Sequence, residues 1–236
     1  MQFYVMDLEI GSPYETSCSS MEPIHIGQLA DCQKCPKCGE PMGLLPWLPP
    51  FRAVVRASGK QLGDVAFDSL DILVSEKFRL AWCEAQLKGI DRFHPLERIR
   101  VRPARLGKKT PTYFLVQPAR FGTRVDLSRS LIEYDRPFAC MTCLEAGVDN
   151  VRGFSIDEAS WTGEDLFIAW GKPGSIIVTD RVRQLRDDHD LKNVTLTPVE
   201  KFVWDPLNRW TPVDYSRDEP RPEVEEVVHD DGASLN

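Results

Sequence analysis

Aliphatic and β-branched residues occur in short runs along the chain, and two of these runs lead directly into helical patterns. Residues 72–74 read Ile-Leu-Val and residues 176–178 read Ile-Ile-Val. Each run is followed by a hydroxyl residue, Ser75 or Thr179, and then by an acidic residue. A hydroxyl at the N-cap and an acid in the first turn are typical of a helix start. The pattern therefore predicts a strand followed by a helix at both places.

The two predicted helices differ in their apolar content. In the first, Phe78 and Trp82, with Leu80, Cys83 and Leu87 alongside, recur at helical spacing. This spacing predicts a stripe that is buried in the core. The second helix keeps fewer apolar residues and contains a strongly polar segment, so we expect it to lie at the surface.

The two strand–helix segments also align with each other. Residues 72–99 match residues 176–202 at an offset of 104 positions, and at 103 after one deletion. Both helices are predicted to end at a lysine followed by Gly89 or Asn193, which tolerate the left-handed C′ conformation. Each segment then returns as a strand that stops at a proline. The alignment predicts an internal repeat of strand–helix–strand units.

Four of the seven cysteines form two Cys-x-x-Cys pairs that the repeat relates. Cys35 and Cys38 precede Cys140 and Cys143 by 105 residues, close to the offset of the helical segments. Two such turns facing each other supply the four thiolates of a tetrahedral zinc site. We therefore predict that these four cysteines bind one structural Zn2+, in a closed site that leaves no position for an activated water.

Two other interpretations of the cysteines are weaker. Cys32 has the right spacing to replace Cys35, but its counterpart in the second copy is Pro137, so the repeat favours Cys35. A redox dithiol would open a helix, and the segment 39–41 after Cys38, Gly-Glu-Pro, does not continue as one.

These patterns predict an α+β fold in which two strand-rich pseudo-repeats, each with one main helix, are joined around a shared four-cysteine zinc site. Residues 1–105 form the first pseudo-repeat and residues 106–212 the second. Residues 213–236 hold eight acidic residues against two arginines, so they predict an acidic, flexible tail.

Composition excludes several classes of protein. The chain has 236 residues and a net charge of −7, of which −6 falls in the tail. A near-neutral body disfavours nucleic-acid binding, which calls for a basic face. No apolar run is long enough for a transmembrane helix. Cysteines clustered in Cys-x-x-Cys pairs suit a reducing compartment, so we expect a cytoplasmic protein.

Catalytic motifs are absent from the sequence. The four histidines are scattered, and the chain contains no GxSxG, no P-loop and no GxGxxG followed by a helix. We therefore assign no catalytic and no cofactor-binding residue, and we expect a protein that is not an enzyme.

The chain contains the two Cys-x-x-Cys turns, the segment DEASWTGEDLF (157–167) and a block that begins IIVTDRVRQL (176–185). Together these features resemble the double-CXXCG motif paralogous family of myxobacteria. The chain differs at Leu144, where the family has glycine. The resemblance implies a non-enzymatic, cytoplasmic immunity protein that binds and neutralises a cognate, contact-delivered protein toxin. A zinc-ribbon adaptor or regulatory binding protein, and an enzyme of unrecognised type, are the alternatives.

Overall fold

The chain is described by a computed structural model that covers residues 1–20, 34–41, 48–68, 71–116, 118 and 122–206. Met1–Pro206 form one compact unit. This unit is a mixed α/β structure, rich in strands and with few helices, so the coarse form of the α+β prediction is confirmed. The predicted tail and Cys32 lie outside the described residues.

The described part of the chain contains fourteen strands and two α-helices. In chain order they are β1 (Phe3–Asp7), β2 (Thr16–Ser20), β3 (Arg52–Ala57), β4 (Val65–Asp68), β5 (Asp71–Ser75), α1 (Glu76–Glu84), β6 (His94–Pro95), β7 (Arg98–Arg102), β8 (Tyr113–Val116), β9 (Ile132–Tyr134), β10 (Val148–Arg152), β11 (Leu166–Phe167), β12 (Ile176–Thr179), α2 (Asp180–Asp188), β13 (Thr195–Pro198) and β14 (Val203–Trp204).

These strands form three sheets. The largest has seven strands in the order β6-β8-β5-β4-β2-β3-β7, the second has four in the order β11-β12-β1-β13, and the third has three in the order β14-β10-β9. The main apolar core packs both helices against strands of the two larger sheets, with Phe78 and Trp82 from α1 and Val182 and Leu185 from α2.

Both helices begin where the sequence predicts. The Ser75 hydroxyl accepts a hydrogen bond from the Phe78 N–H at 3.2 Å, which caps α1. Thr179 occupies the same place before α2, but its hydroxyl makes no bond to the helix backbone. It donates instead to Asp165 Oδ1 at 2.7 Å.

The predicted helix ends are wrong by several residues. The helices stop at Glu84 and Asp188, and the residues in the left-handed C′ conformation are Gln86 and Asp190, with φ of 51° and 47°. In both, the N–H two residues after the C-cap reaches back to the third-last helical carbonyl, as in a Schellman motif (Leu87 to Trp82 at 3.2 Å, and Leu191 to Arg186 at 3.0 Å). Gly89 and Asn193 also have positive φ, three residues further on.

The apolar stripe of α1 is narrower than predicted. Phe78, Trp82 and Leu87 are buried, whereas Leu80 is 55% exposed and Cys83 is exposed. Leu80 lies two positions before Trp82, which turns it about 200° around the helix axis and away from the core. The prediction that Cys83 is buried is wrong for a related reason, because the residue next to Trp82 is turned about 100° from it.

Two aspartates, Asp165 buried and Asp64 half-buried, hold the helical segments in equivalent ways. The Asp64 carboxylate accepts from the Ser75 hydroxyl at 2.7 Å and from the Lys192 N–H at 2.9 Å. The Asp165 carboxylate accepts from the Thr179 hydroxyl at 2.7 Å and from the Lys88 N–H at 2.9 Å. Each aspartate thus binds the cap residue of the nearer helix and the backbone that follows the other helix.

The strand pairings show the same correspondence. β1 pairs with β12 so that Phe3 lies opposite Thr179, and β8 pairs with β5 so that Tyr113 lies opposite Ser75. The first strand of each predicted repeat therefore pairs with the central strand of the other. The sheets around them differ in size, however, and the two-repeat architecture stays a prediction.

Candidate metal centre

The structure brings together the four cysteines that the sequence selects. Their sulfur atoms all lie within 4.8 Å of one another, and Cys38 Sγ is 3.7 Å from Cys143 Sγ. A regular tetrahedron with zinc–sulfur bonds of about 2.3 Å places its sulfurs about 3.8 Å apart. Cys35, Cys140 and Cys143 are buried and Cys38 is exposed, and all four are free thiols. The cluster could hold a metal ion.

Each Cys-x-x-Cys segment folds as the same turn. The Gly39 N–H donates to the Cys35 carbonyl at 2.9 Å, and the Leu144 N–H donates to the Cys140 carbonyl at 3.0 Å. Gly39 has φ of +77° and Leu144 has φ of +52°. Leu144 therefore takes the left-handed conformation that glycine takes in the first turn. Its side chain is 2% exposed and packs in the apolar core, which offsets the backbone strain.

Backbone amides point at the sulfurs of both turns. The pKa of Cys140 is lowered to about 6, first by the N–H of Cys143 and then by that of Thr142. The pKa of Cys35 is lowered in the same way, first by the N–H of Cys38. Amides directed at a sulfur stabilise its negative charge. The first cysteine of each turn is thereby prepared as a thiolate ligand.

The second cysteine of each turn holds its proton more tightly. Burial raises the pKa of Cys143 to about 12, and the neighbouring thiols add to the effect. For Cys38 the N–H of Glu40 lowers the pKa, but burial and the neighbouring thiols outweigh it, so the pKa is raised. A cation at the centre of the cluster would instead lower the pKa of both thiols, because a metal-bound thiol loses its proton.

One neighbour of the cluster was not foreseen from the sequence. Trp170 packs against Cys35, Cys140 and Cys143, and its ring N–H is buried without a hydrogen-bond partner. Trp170 is itself buried, so the three cysteines that it contacts are the buried ones and Cys38 is the exposed one. No spacing rule links Trp170 to either turn, so only the fold could identify it.

The donor set determines what chemistry this centre can perform. Four thiolates fill a tetrahedral coordination sphere and leave no open position for a substrate or a reactive water. Sulfur ligands in a tetrahedron are typical of zinc and of iron–sulfur sites, whereas calcium and magnesium prefer oxygen. The arrangement suits a structural ion that links residues 35–38 to residues 140–143.

A cavity of about 440 Å³ lies elsewhere, between the three sheets. Apolar side chains form most of its wall, together with the polar residues Asp7, Lys172 and Ser175. Lys172 is 4% exposed, and its Nζ donates to Ser175 Oγ at 2.7 Å and lies 5.5 Å from the Phe202 ring centre. Burial lowers the pKa of Lys172 to about 8. Among the residues that the structure describes, no cysteine or histidine lines this cavity.

Comparison with known proteins gives no family assignment. Neither a protein-family model nor a curated protein matches the chain. Within the described residues, no helix has the length and apolar character that crossing a membrane requires.

Proposed function

We propose that this chain is a non-enzymatic immunity protein that is held together by a structural zinc ion and that binds and neutralises a protein toxin. The convergence of four cysteine sulfurs within 4.8 Å supports the metal. The toxin partner and the cytoplasmic location come from the resemblance to the double-CXXCG family. A closed metal site and the absence of a catalytic motif agree with a protein that acts by binding.

The proposed architecture is a pair of pseudo-repeats joined at this zinc. Equivalent bonds at Asp64 and Asp165 support it, as do the equal turns at Cys35 and Cys140. The zinc would then link the same two halves that the aspartates link, at a separate place in the fold.

Metal analysis of the purified chain tests the zinc. We expect about one zinc ion per chain by elemental analysis, and loss of that ion in the double variant Cys140→Ser, Cys143→Ser. The matched control is Cys83→Ser, because Cys83 is an exposed thiol outside the cluster. Full zinc content and an unchanged melting temperature in the double variant would overturn the assignment.

Co-expression tests the immunity role. The probe is the product of the gene that neighbours this one, expressed in a host with and without this chain. We expect growth arrest by the neighbouring protein alone, growth with both proteins, and a stoichiometric complex by size-exclusion chromatography. A zinc-loaded, folded chain that neither binds the neighbouring product nor restores growth would refute the proposal.

A further inference from the structure

Residues 98–109, RIRVRPARLGKK, carry six basic side chains and no acidic one. All six are exposed, namely Arg98, Arg100, Arg102, Arg105, Lys108 and Lys109. Within the described part of the chain, none of them forms a salt bridge. The near-neutral net charge of the body concealed this concentration of positive charge.

The first three arginines line up on the edge of the largest sheet. β7 is its outermost strand and pairs only with β3 among the described strands. Arg98, Arg100 and Arg102 alternate with Ile99 and Val101, which are half-buried. The arginines therefore share one face, and the parallel register places them beside the same-face residues of β3 (Arg52, Val54 and Arg56).

An edge strand can accept one more strand by main-chain hydrogen bonds. Alternate side chains of the added strand would lie on the arginine face, with the same spacing of about 6.7 Å along the strand. Directly opposed side chains on neighbouring strands have Cβ atoms about 5 Å apart, which is close enough for ion pairs. Acidic residues at every second position of an incoming strand would therefore meet Arg98, Arg100 and Arg102.

The basic surface continues beyond the strand. The 3₁₀ helix Ala104–Lys109 borders a cavity of about 530 Å³. Of the described residues that line this cavity, three are basic and none is acidic (the basic ones are Lys60, Arg105 and Lys109, and the others are Gln61, Leu62 and Leu106). It could receive further acidic side chains of a segment that runs along β7.

We infer that β7 and the 3₁₀ helix after it, here called the basic edge, form the docking surface for an extended acidic segment of the protein partner. This inference rests on the proposed function, because it describes the partner of the same binding protein. It adds the chemistry of the recognised segment, which is an extended strand with alternating Asp or Glu.

Nucleic acid fits this surface less well. Proteins that bind single strands combine basic residues with aromatic side chains on which bases stack. Among the described residues, the same-face positions on the neighbouring strands hold arginine, valine and serine but no aromatic side chain (Arg52, Val54 and Arg56 on β3, and Ser17 and Ser19 on β2). Charge on an edge strand also prevents aggregation, but that purpose does not account for the basic cavity beyond the strand.

Peptide titration of the full chain tests the basic edge without the toxin. The probes are a fluorescent octapeptide with alternating acids, TEVEVEVT, and a peptide of the same composition with its acids in one block. The third probe is a single-stranded oligothymidylate. We expect the alternating peptide to bind most tightly, and the triple variant Arg98→Gln, Arg100→Gln, Arg102→Gln to weaken its binding about tenfold.

The matched control replaces three exposed arginines elsewhere, Arg92→Gln, Arg129→Gln and Arg136→Gln, and should leave the affinity unchanged. Equal weakening by both triple variants would overturn the inference, and so would tighter binding of the oligothymidylate or the blocked peptide. Peptide binding by the basic edge with no response to the neighbouring gene product would support this surface and refute only the toxin assignment.

Discussion

Replacing Lys172 with methionine should stabilise the protein at neutral pH. Lys172 is buried, and among the described residues its Nζ bonds only to the Ser175 hydroxyl and, weakly at 3.4 Å, to the Pro173 carbonyl. No carboxylate in the described part of the chain forms an ion pair with it. The folded protein therefore holds a desolvated cation without a countercharge, which disfavours the charged form.

The size of this effect follows from the shift in pKa. Burial lowers the pKa of Lys172 from 10.5 to about 8, a difference of about 2.5. At 1.36 kcal/mol for each pKa unit, the charged form costs the folded state about 3 kcal/mol. Methionine also removes the donor to Ser175, and an unpaired hydroxyl costs about 1 kcal/mol. We therefore expect Lys172→Met to raise the free energy of unfolding by about 2 kcal/mol at pH 7.

The difference in stability between Lys172→Met and the parent should depend on pH. Below about pH 8 the lysine is charged in both states, so the full cost of burial is present. Between about pH 8 and 10.5 the unfolded chain binds the proton and the folded chain does not, so the stability of the parent rises with pH. The advantage of the variant should therefore disappear towards pH 10.5.

Urea denaturation of parent and variant at a series of pH values measures this difference, and subtraction cancels the titration of all shared groups. Lys201→Met is the control, because Lys201 is exposed and its removal should leave the parent's pH profile unchanged. A difference between parent and Lys172→Met that stays constant from pH 7 to 10.5 would refute the reasoning, and so would a variant that is less stable at pH 7.

Three further predictions concern the cysteine turns and the aspartates. Asp64→Ala and Asp165→Ala should each lower the free energy of unfolding by about 3 kcal/mol, because each leaves buried donors unpaired, whereas the exposed Asp188→Ala should change it by less than about 0.5 kcal/mol in the same urea assay. Gly39→Ala should lower the free energy of unfolding by about 1 kcal/mol, because Gly39 has a φ of +77° that alanine adopts with strain. The zinc content should stay the same, since the added Cβ meets no atom within 4 Å, and loss of zinc in this variant would contradict the turn geometry. Zinc added to the metal-free chain at pH 7 should release at least two protons, seen with a pH indicator, because the pKa values of Cys38 and Cys143 are raised and both thiols must lose a proton to bind the metal. Zinc binding without proton release would contradict this reasoning.

The sequence predicted those parts of the fold that depend on local chemistry. The hydroxyl and acid at Ser75 and Thr179 located both helix starts, because capping involves neighbouring residues only. The turn spacing at Cys35 and Cys140 selected the four sulfurs that the structure brings together, since a repeat in the sequence implies equivalent places in space.

Features that depend on distant partners were missed. Asp64 and Asp165 each bind a backbone N–H more than seventy residues away, and nothing beside them in sequence marks that partner. A repeat comparison that included GDVAF (63–67) and GEDLF (163–167) could have paired them. The basic edge was not predicted, because the net charge of the whole chain does not show where the basic and acidic residues lie in the fold. The helix ends were placed too late because glycine and asparagine were preferred to Gln86 and Asp190, which take positive φ there.

The four-cysteine cluster and the two aspartates connect the predicted halves at different places in the fold. Three of the four cysteines are buried and Cys38 is exposed, whereas Asp165 is buried beside Thr179, the residue before α2. The aspartate bonds lie at the starts and ends of the two helices, whose apolar side chains form the main core. A metal bound to the four cysteines would connect the two turns, and three of the four cysteines pack with Trp170 in a small cluster separate from the larger apolar ones. Neither the cysteine cluster nor the aspartates involve the sheet edge at β7. This edge carries the exposed basic side chains that form no salt bridge with the described residues.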